Sequence, residues 1–310
     1  MTAQAVRRLR ELARSDPAVA PLAALQAEAL EAAAEKGWDA ALAAFAPDRL
    51  ADALPLLHGA TLTADAERVR TLLLRLVGEA ERAGGEAEGP RNGAEGSRHG
   101  PDLAAVRRAL SAGALDPPAL LAAVIAQDDA RLVTLAAGAG ADAGLLGTLG
   151  GLAALPLLLA CGEKAAPLVE RSGWGEGYCP VCAAWPALAE LRGLEKRRWL
   201  RCARCGSGWP VAHEGCVFCG EADWRRIGYL APEGDTESRR AVTCDSCHGY
   251  LKTLASLAPI PPAEVGLTDL TTLELDVAAL ERDFVRPELP ALPLEVAVEP
   301  ARRRGLFGRR

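Results

Sequence analysis

The sequence predicts an α+β chain, mostly α: an N-terminal helical bundle, two small cysteine-bearing β modules, and C-terminal helices. Three observations carry this expectation. Half of the 310 residues are hydrophobic while aromatics make up only 4%, and a composition led by Ala and Leu suits helix packing. Apolar residues recur at helical spacing through the first half. Eight of the nine cysteines fall within the 69 residues from Cys179 to Cys247, where the texture turns to Trp, Gly and Pro with short strand-like runs. The expected division is 1–171 helical, 172–258 two tandem four-cysteine modules, 259–290 helical, and 291–310 a Pro-rich, basic, mobile tail.

Asp16-Pro17 reads as an N-cap with proline at the first helical position, ahead of Val19, Leu22, Leu25 and Leu30. From Ala64 to Ala83, Val69, Leu72, Leu73 and Leu76 share one face, with Glu67, Arg68, Arg70 and Glu79 off it. Residues 84–101 lack periodic apolar positions and read as a flexible loop inserted in one α-domain. Helix resumes with Asp102 as a cap for Leu103, Val106 and Leu110, then from Pro117-Pro118 to Ile125, then from Asp128 to Ala137. Beyond Cys247, helix is expected again over Tyr250–Leu257 and Leu270–Phe284.

Ala143 to Gly162 is twenty residues without a charge, close to a bilayer-spanning length. Gly144, Gly147, Gly150, Gly151 and Pro156 interrupt it, so two buried helical segments joined by a Gly-Gly turn are expected, and no membrane span. No apolar run backs the basic residues near the start, so no secretory signal is read and the chain is expected to be cytoplasmic.

The net charge is −6, which removes the global basic field that holds nucleic acid and argues against a nucleic-acid partner. Local basic residues do cluster: Lys196, Arg197, Arg198, Arg201 and Arg204 around the first module, and Arg225, Arg226, Arg239 and Arg240 around the second. A solvated strand face is the first reading, followed by protein docking and then a nucleic-acid surface on which Trp199 or Trp209 stacks.

The cysteines form four Cys-x-x-Cys pairs: Cys179/Cys182, Cys202/Cys205, Cys216/Cys219 and Cys244/Cys247. Such a turn aims two sulfurs at one ion, and a residue in the left-handed region closes it, which Gly206 and Gly220 satisfy. Gaps of nineteen residues between the first two pairs and twenty-four between the last two leave room for a β-hairpin each. Two sequential sites follow, Cys179, Cys182, Cys202 and Cys205, then Cys216, Cys219, Cys244 and Cys247, with crossed pairing as the alternative. Redox dithiols would need a strand-to-helix context that no pair has. Four thiolates leave an ion no open position, so hydrolysis at the metal is not expected and neither is an enzyme. Spacing leaves iron and zinc both open. His248 beside Cys247 is an outside candidate ligand, Cys161 reads as core, and Trp185, Trp199, Trp209 and Trp224 as covers for the metal sites.

Over its last 45% or so the chain resembles the formate dehydrogenase accessory protein FdhE family. The resemblance lies in Cys179-Pro180-Val181-Cys182, in Trp199-Leu200-Arg201-Cys202-Ala203-Arg204-Cys205 with Trp209 and Cys216, and in Cys244-Asp245-Ser246-Cys247 with Tyr250-Leu251-Lys252. It continues in Asp269-Leu270-Thr271-Thr272-Leu273-Glu274-Leu275-Asp276. Ala183, Pro210 and His213 depart from the pattern. The resemblance implies two rubredoxin-like metal sites, iron favoured over zinc, and a maturation factor whose cysteine domain binds the catalytic subunit of an exported formate dehydrogenase. A homodimer is compatible with it. Two other readings of the motifs are a nucleic-acid-binding zinc-ribbon protein and a rubredoxin-like electron carrier.

Overall fold

In the computed structural model the described residues are 2–38, 45–86, 100–212 and 215–301. Most of the expected loop, the basic end 302–310, His99 and His213 lie outside them. Among the described residues α1 (Thr2–Ser15) and α2 (Ala20–Ala33) pack as a pair. The first was not expected, because its outward face is charged and only Ala5 and Leu9 are buried. Its partners are Ala23, Ala27 and Leu30 of α2 and, from the far end of the chain, Leu267 and Leu270. Asp16 does not cap α2; its carboxylate accepts from the Ala18 N–H at 3.0 Å, and the helix begins at Ala20.

A short strand, β1 (Ala60–Ala64), precedes α3 (Ala66–Glu86), where Asp65 accepts the Glu67 and Arg68 N–H groups. Asp102 lies inside the first turn of α4 (Gly100–Ala112) and accepts instead from the Asp142 N–H at 3.2 Å. Helices α5 (Pro117–Ala126), α6 (Asp129–Ala139) and α7 (Ala143–Ser172) each start behind an aspartate, Asp116, Asp128 and Asp142, whose carboxylate accepts an N–H of the first turn, satisfying a donor that has no partner within the helix.

Helix α7 corrects the expected pair of segments: it is one helix of 30 residues with Pro156 and Pro167 inside it. Two of its glycines, Gly147 and Gly150, serve contact rather than a turn. A Cβ on Gly147 would lie 2.9 Å from Leu132 of α6, and one on Gly150 2.9 Å from Val124 of α5. The helix is long and apolar enough to cross a membrane, but half of its apolar window is buried within the protein, as in a core helix.

The cysteine half forms one six-stranded sheet in the order β4-β3-β2-β7-β6-β5. β2 (Leu188–Arg192), β3 (Arg197–Arg201) and β4 (Gly208–Pro210) form the first antiparallel meander. β5 (Ile227–Leu230), β6 (Arg239–Cys244) and β7 (Tyr250–Ser256) form the second. The first strand of one meander lies parallel to the last strand of the other, Leu188 opposite Lys252, so the modules share backbone hydrogen bonds. This corrects the helix expected over 250–257. β7 is central and buried from Tyr250 to Thr253 on both faces, which erases the alternation that marks a half-exposed strand.

Helices α8 (Val265–Leu270) and α9 (Leu273–Leu280) follow. The expected mobile tail is also corrected over part of its length. β8 (Val296–Pro300) pairs in parallel with β1, and Leu294 is buried beside it. One apolar core runs from α3, α5 and α7 into Cys179, Cys182, Cys202 and Cys205. The backbone joins it, with Leu56 and Leu57 N–H groups donating to Pro180 and Val181 carbonyls at 2.8 and 3.0 Å.

Candidate metal centre

All four Cys-x-x-Cys turns share one backbone pattern. The N–H of the first cysteine donates five residues ahead: Cys179 to Ala184, Cys202 to Ser207, Cys216 to Glu221 and Cys244 to Gly249, at 2.8–3.0 Å. The residue after the second cysteine takes a positive φ in every case, 56° at Ala183, 72° at Gly206, 77° at Gly220 and 56° at His248. The turn therefore requires the left-handed conformation even where no glycine supplies it. At Ala183 and His248 that conformation is sterically costly. For His248 it explains the position better than ligation: the ring faces Phe284, 6.0 Å between centroids, and the carbonyl accepts the Val285 N–H.

The turns bring the cysteines together in sequential order. Cys179, Cys182, Cys202 and Cys205 form one group and Cys216, Cys219, Cys244 and Cys247 the other, each with sulfurs within 4.8 Å of one another. Nearest separations are 3.4 Å for Cys179–Cys205, 3.5 Å for Cys182–Cys202, 3.6 Å for Cys216–Cys247 and 3.7 Å for Cys219–Cys244. These are far longer than disulfides and close to the edge of about 3.8 Å of a tetrahedron with metal–sulfur bonds of about 2.3 Å. The donor sets fit two four-sulfur ions, and each set could hold one.

The two groups differ in burial. In the first all four cysteines are buried; in the second Cys219 and Cys247 are exposed. Burial pushes the Cys179 and Cys205 thiols well above their ordinary range, while hydrogen bonds from Cys179, Cys202 and Cys205 hold Cys182 well below it. Cysteine ligates a metal as the thiolate, so metal entry into this dry pocket must displace thiol protons. Cys161 is also buried, with its thiol pushed up to about 12 by desolvation, and stands outside both groups.

The first site is wedged against the helices. A Cβ on Gly162 of α7 would lie 2.0 Å from the Cys205 carbonyl oxygen, so only glycine lets this turn seat there. Arg204 donates to the Val124 carbonyl near the end of α5. An edge-to-face chain, Trp174–Tyr178–Trp185–Phe218, with centroids 5.4, 6.4 and 5.3 Å apart, links the flank of the first turn to the third. Of the tryptophans expected as covers, Trp209 is fully buried and donates to the Glu176 carbonyl. Trp224 is 75% exposed beside Arg225 and covers nothing, and Trp199 lies beneath Arg192.

Five of the clustered basic residues are ion-paired. Lys196 pairs with Glu237, Arg197 with Glu195, Arg226 with Glu221, and Arg239 with Asp235 and Glu274. Arg201 is buried on Glu190. The residues after the fourth pair acquire a role that spacing alone did not reveal. Lys252, fully buried, bonds Asp269 and Asp276 at 2.6 Å, Arg286 bonds the same two carboxylates, and the Tyr250 hydroxyl donates to Asp276. This network fastens α8 and α9 to the second module.

No family model matches the chain. Protein FdhE of Escherichia coli O127:H6 is 29% identical over 141 residues, 44% of this chain and 45% of the relative. An FdhE homolog of Pasteurella multocida is 30% identical over 122 residues, 39% of this chain and 38% of the relative, and one of Stutzerimonas stutzeri 32% over 111 residues, 35% of each. The matches span less than half the length of these relatives. The crystal structure of the FdhE protein from Pseudomonas aeruginosa superposes with a TM-score of 0.55, covering 94% of this chain and 95% of that one at 21% identity. The chain is FdhE-like. The FdhE-like fold extends through the helical half, beyond the last 45% or so of the chain that carried the sequence resemblance.

Proposed function

We propose that the chain is a non-catalytic, cytoplasmic accessory factor for a formate dehydrogenase, and that its metal-stabilised cysteine half docks the catalytic subunit. The similarity to FdhE proteins in sequence and fold carries this reading. In it Cys179, Cys182, Cys202 and Cys205 hold one ion and Cys216, Cys219, Cys244 and Cys247 a second, iron favoured over zinc on the resemblance. With four sulfurs per ion no position is open for a substrate, so the ions act as braces for a protein surface. Ion pairing of the basic residues lowers the standing of a nucleic-acid-binding ribbon, which needs unpaired cations along one face.

The test is co-purification of the tagged chain with a formate dehydrogenase catalytic subunit from cells expressing both. Cys202→Ser/Cys205→Ser should lose metal and partner together. Partner capture that survives with the first metal gone overturns the docking role of the metal-braced half. A reversible one-electron couple that serves a reductase would favour the electron-carrier reading instead.

A further inference from the structure

Between α7, the end of α2 and the first module lies an open cavity of about 980 Å³, at the upper end of the usual size for ligand pockets. Its floor is apolar, with Pro156, Leu159, Ala166, Ile260 and Pro262 among its residues. Arg192 and Arg201 stand on the wall formed by the sheet, and Glu163 and Glu170 on the wall formed by α7.

Arg192 is set as a receptor. Its Nε donates to Glu190 at 2.5 Å, its guanidinium lies 4.1 Å from the Trp199 ring centroid, and its side chain is 17% exposed. Among the described residues neither Nη has a hydrogen-bond partner, although the group lines the cavity. Glu190 is completely buried and shared with Arg201, whose own side chain is 3% exposed and whose buried Nε lacks a partner. One carboxylate therefore balances two guanidinium groups, leaving this wall positive. A planar guanidinium held at Nε and stacked on an indole presents a preorganised fork for a carboxylate.

The opposite wall is negative. Glu163 and Glu170 lie seven residues apart on one face of α7, about 10 Å along its axis, exposed and without an ion pair among the described residues. A polyanion would be attracted by one wall and repelled by the other. An extended chain with charges of both signs meets both.

We propose that this cavity binds an extended peptide segment, with a carboxylate seated on Arg192, a basic side chain against Glu163 or Glu170, and apolar side chains on Leu159, Ala166 and Ile260. The peptide site is a property of the purified chain and does not depend on the formate dehydrogenase reading.

The metal-loaded chain is exposed to a random seven-residue peptide library with free C-termini and to the same library amidated, and the bound peptides are sequenced. The selected peptides should share a carboxylate, side-chain or terminal, and a Lys or Arg a few residues away. Titrated calorimetrically, the best of them should weaken roughly tenfold to hundredfold with Arg192→Gln, as expected for a charge-assisted bond. Glu163→Gln/Glu170→Gln, on an exposed helix face, should weaken peptides with the basic residue and spare those in which it is Ala. Arg192→Lys, which keeps the charge without the fork, should restore only part of the loss. Selection without a shared charge pattern, affinities indifferent to both wall variants at full metal content, or inorganic phosphate binding as tightly as the peptides would each overturn the proposal.

Discussion

Gly162→Ala tests whether the helical half and the first metal site are one mechanical unit. The added methyl would sit 2.0 Å from the Cys205 carbonyl oxygen, against an ordinary carbon–oxygen contact above about 3.3 Å. More than 1 Å must be recovered, and both sides are backbone: an α-helix on one, a turn closed by the Gly206 N–H to the Cys202 carbonyl at 3.0 Å on the other. Overpacking costs about 1–3 kcal/mol where side chains can yield, and here none can, so the upper end applies. At about 2–4 °C per kcal/mol for chains approaching this size, the unfolding midpoint should drop by roughly 6–12 °C. Moving Cys205 by even a fraction of that distance exceeds the roughly 0.2 Å tolerance of a metal–sulfur bond. The variant should therefore bind one equivalent of metal less firmly while the second site is unchanged. Calorimetry and metal quantification during chelator titration read both effects. Gly151→Ala, with nothing within 4 Å of the added methyl, is the control and should be neutral or stabilising by up to about 1 kcal/mol. A Gly162→Ala protein with the parental midpoint and parental metal retention would refute the reasoning.

Three further outcomes are expected. Chelator should strip the second site first, because Cys219 and Cys247 are exposed while the first four cysteines are buried; stopped-flow metal release should resolve two phases, and Cys219→Ser/Cys247→Ser should abolish the fast one. Burial opposes ionisation of Asp276, but bonds from Lys252 and Tyr250 and the charge of Arg286 outweigh it and hold its carboxyl below the ordinary range. A depressed carboxyl contributes stability that is present above its unfolded pKa of about 3.9 and is lost as pH falls through the lower folded value; urea unfolding across that acid window should show the loss, and Asp276→Asn should remove it. At neutral pH Asp276→Asn should cost about 3–5 kcal/mol, since Lys252 stays buried with one carboxylate fewer, and a midpoint unchanged in urea would contradict the network's role.

Legibility in the sequence followed the range of the interaction. The Cys-x-x-Cys turns are local, closed by hydrogen bonds over five residues, and the spacing favoured the sequential grouping seen in the structure while leaving a crossed one open. Asp128 and the Pro117-Pro118 start were legible for the same reason. The misreadings share a cause in distant partners. Gly150-Gly151 looks like a turn until the helix is seen to run through it, with Val124 against Gly150 and Leu132 against Gly147. Tyr250–Ser256 looks helical until β2 and β6 lie on either side of it. β8 is short and Pro-flanked, and only its pairing with β1 makes it a strand. Ion pairing within the basic clusters was equally out of reach, because Glu190, Glu237 and Glu274 meet Arg201, Lys196 and Arg239 only in the fold.

The residues after the last cysteine pair illustrate what a resemblance carries. Tyr250, Lys252, Asp269 and Asp276 belong to the matched stretches without an evident task, and a matched polar residue near a metal invites a functional reading. Their geometry gives a mechanical one. Lys252 is fully buried and its charge is met by two carboxylates from α8 and α9, so removing either partner leaves an expensive charge in the core. The bonds oblige these helices to lie against the second meander, and with them come Leu273, Val277 and Leu280, apolar and exposed. The network thus couples the more exposed metal site to an apolar helix face next to it. Disturbing either the ion or the ion pairs should alter the same surface, and for that reason the docking experiment is best read on Cys219→Ser/Cys247→Ser and Asp276→Asn together: shared loss of partner with an intact first site would place the contact there, and retention in both would move it to the helical side of the molecule.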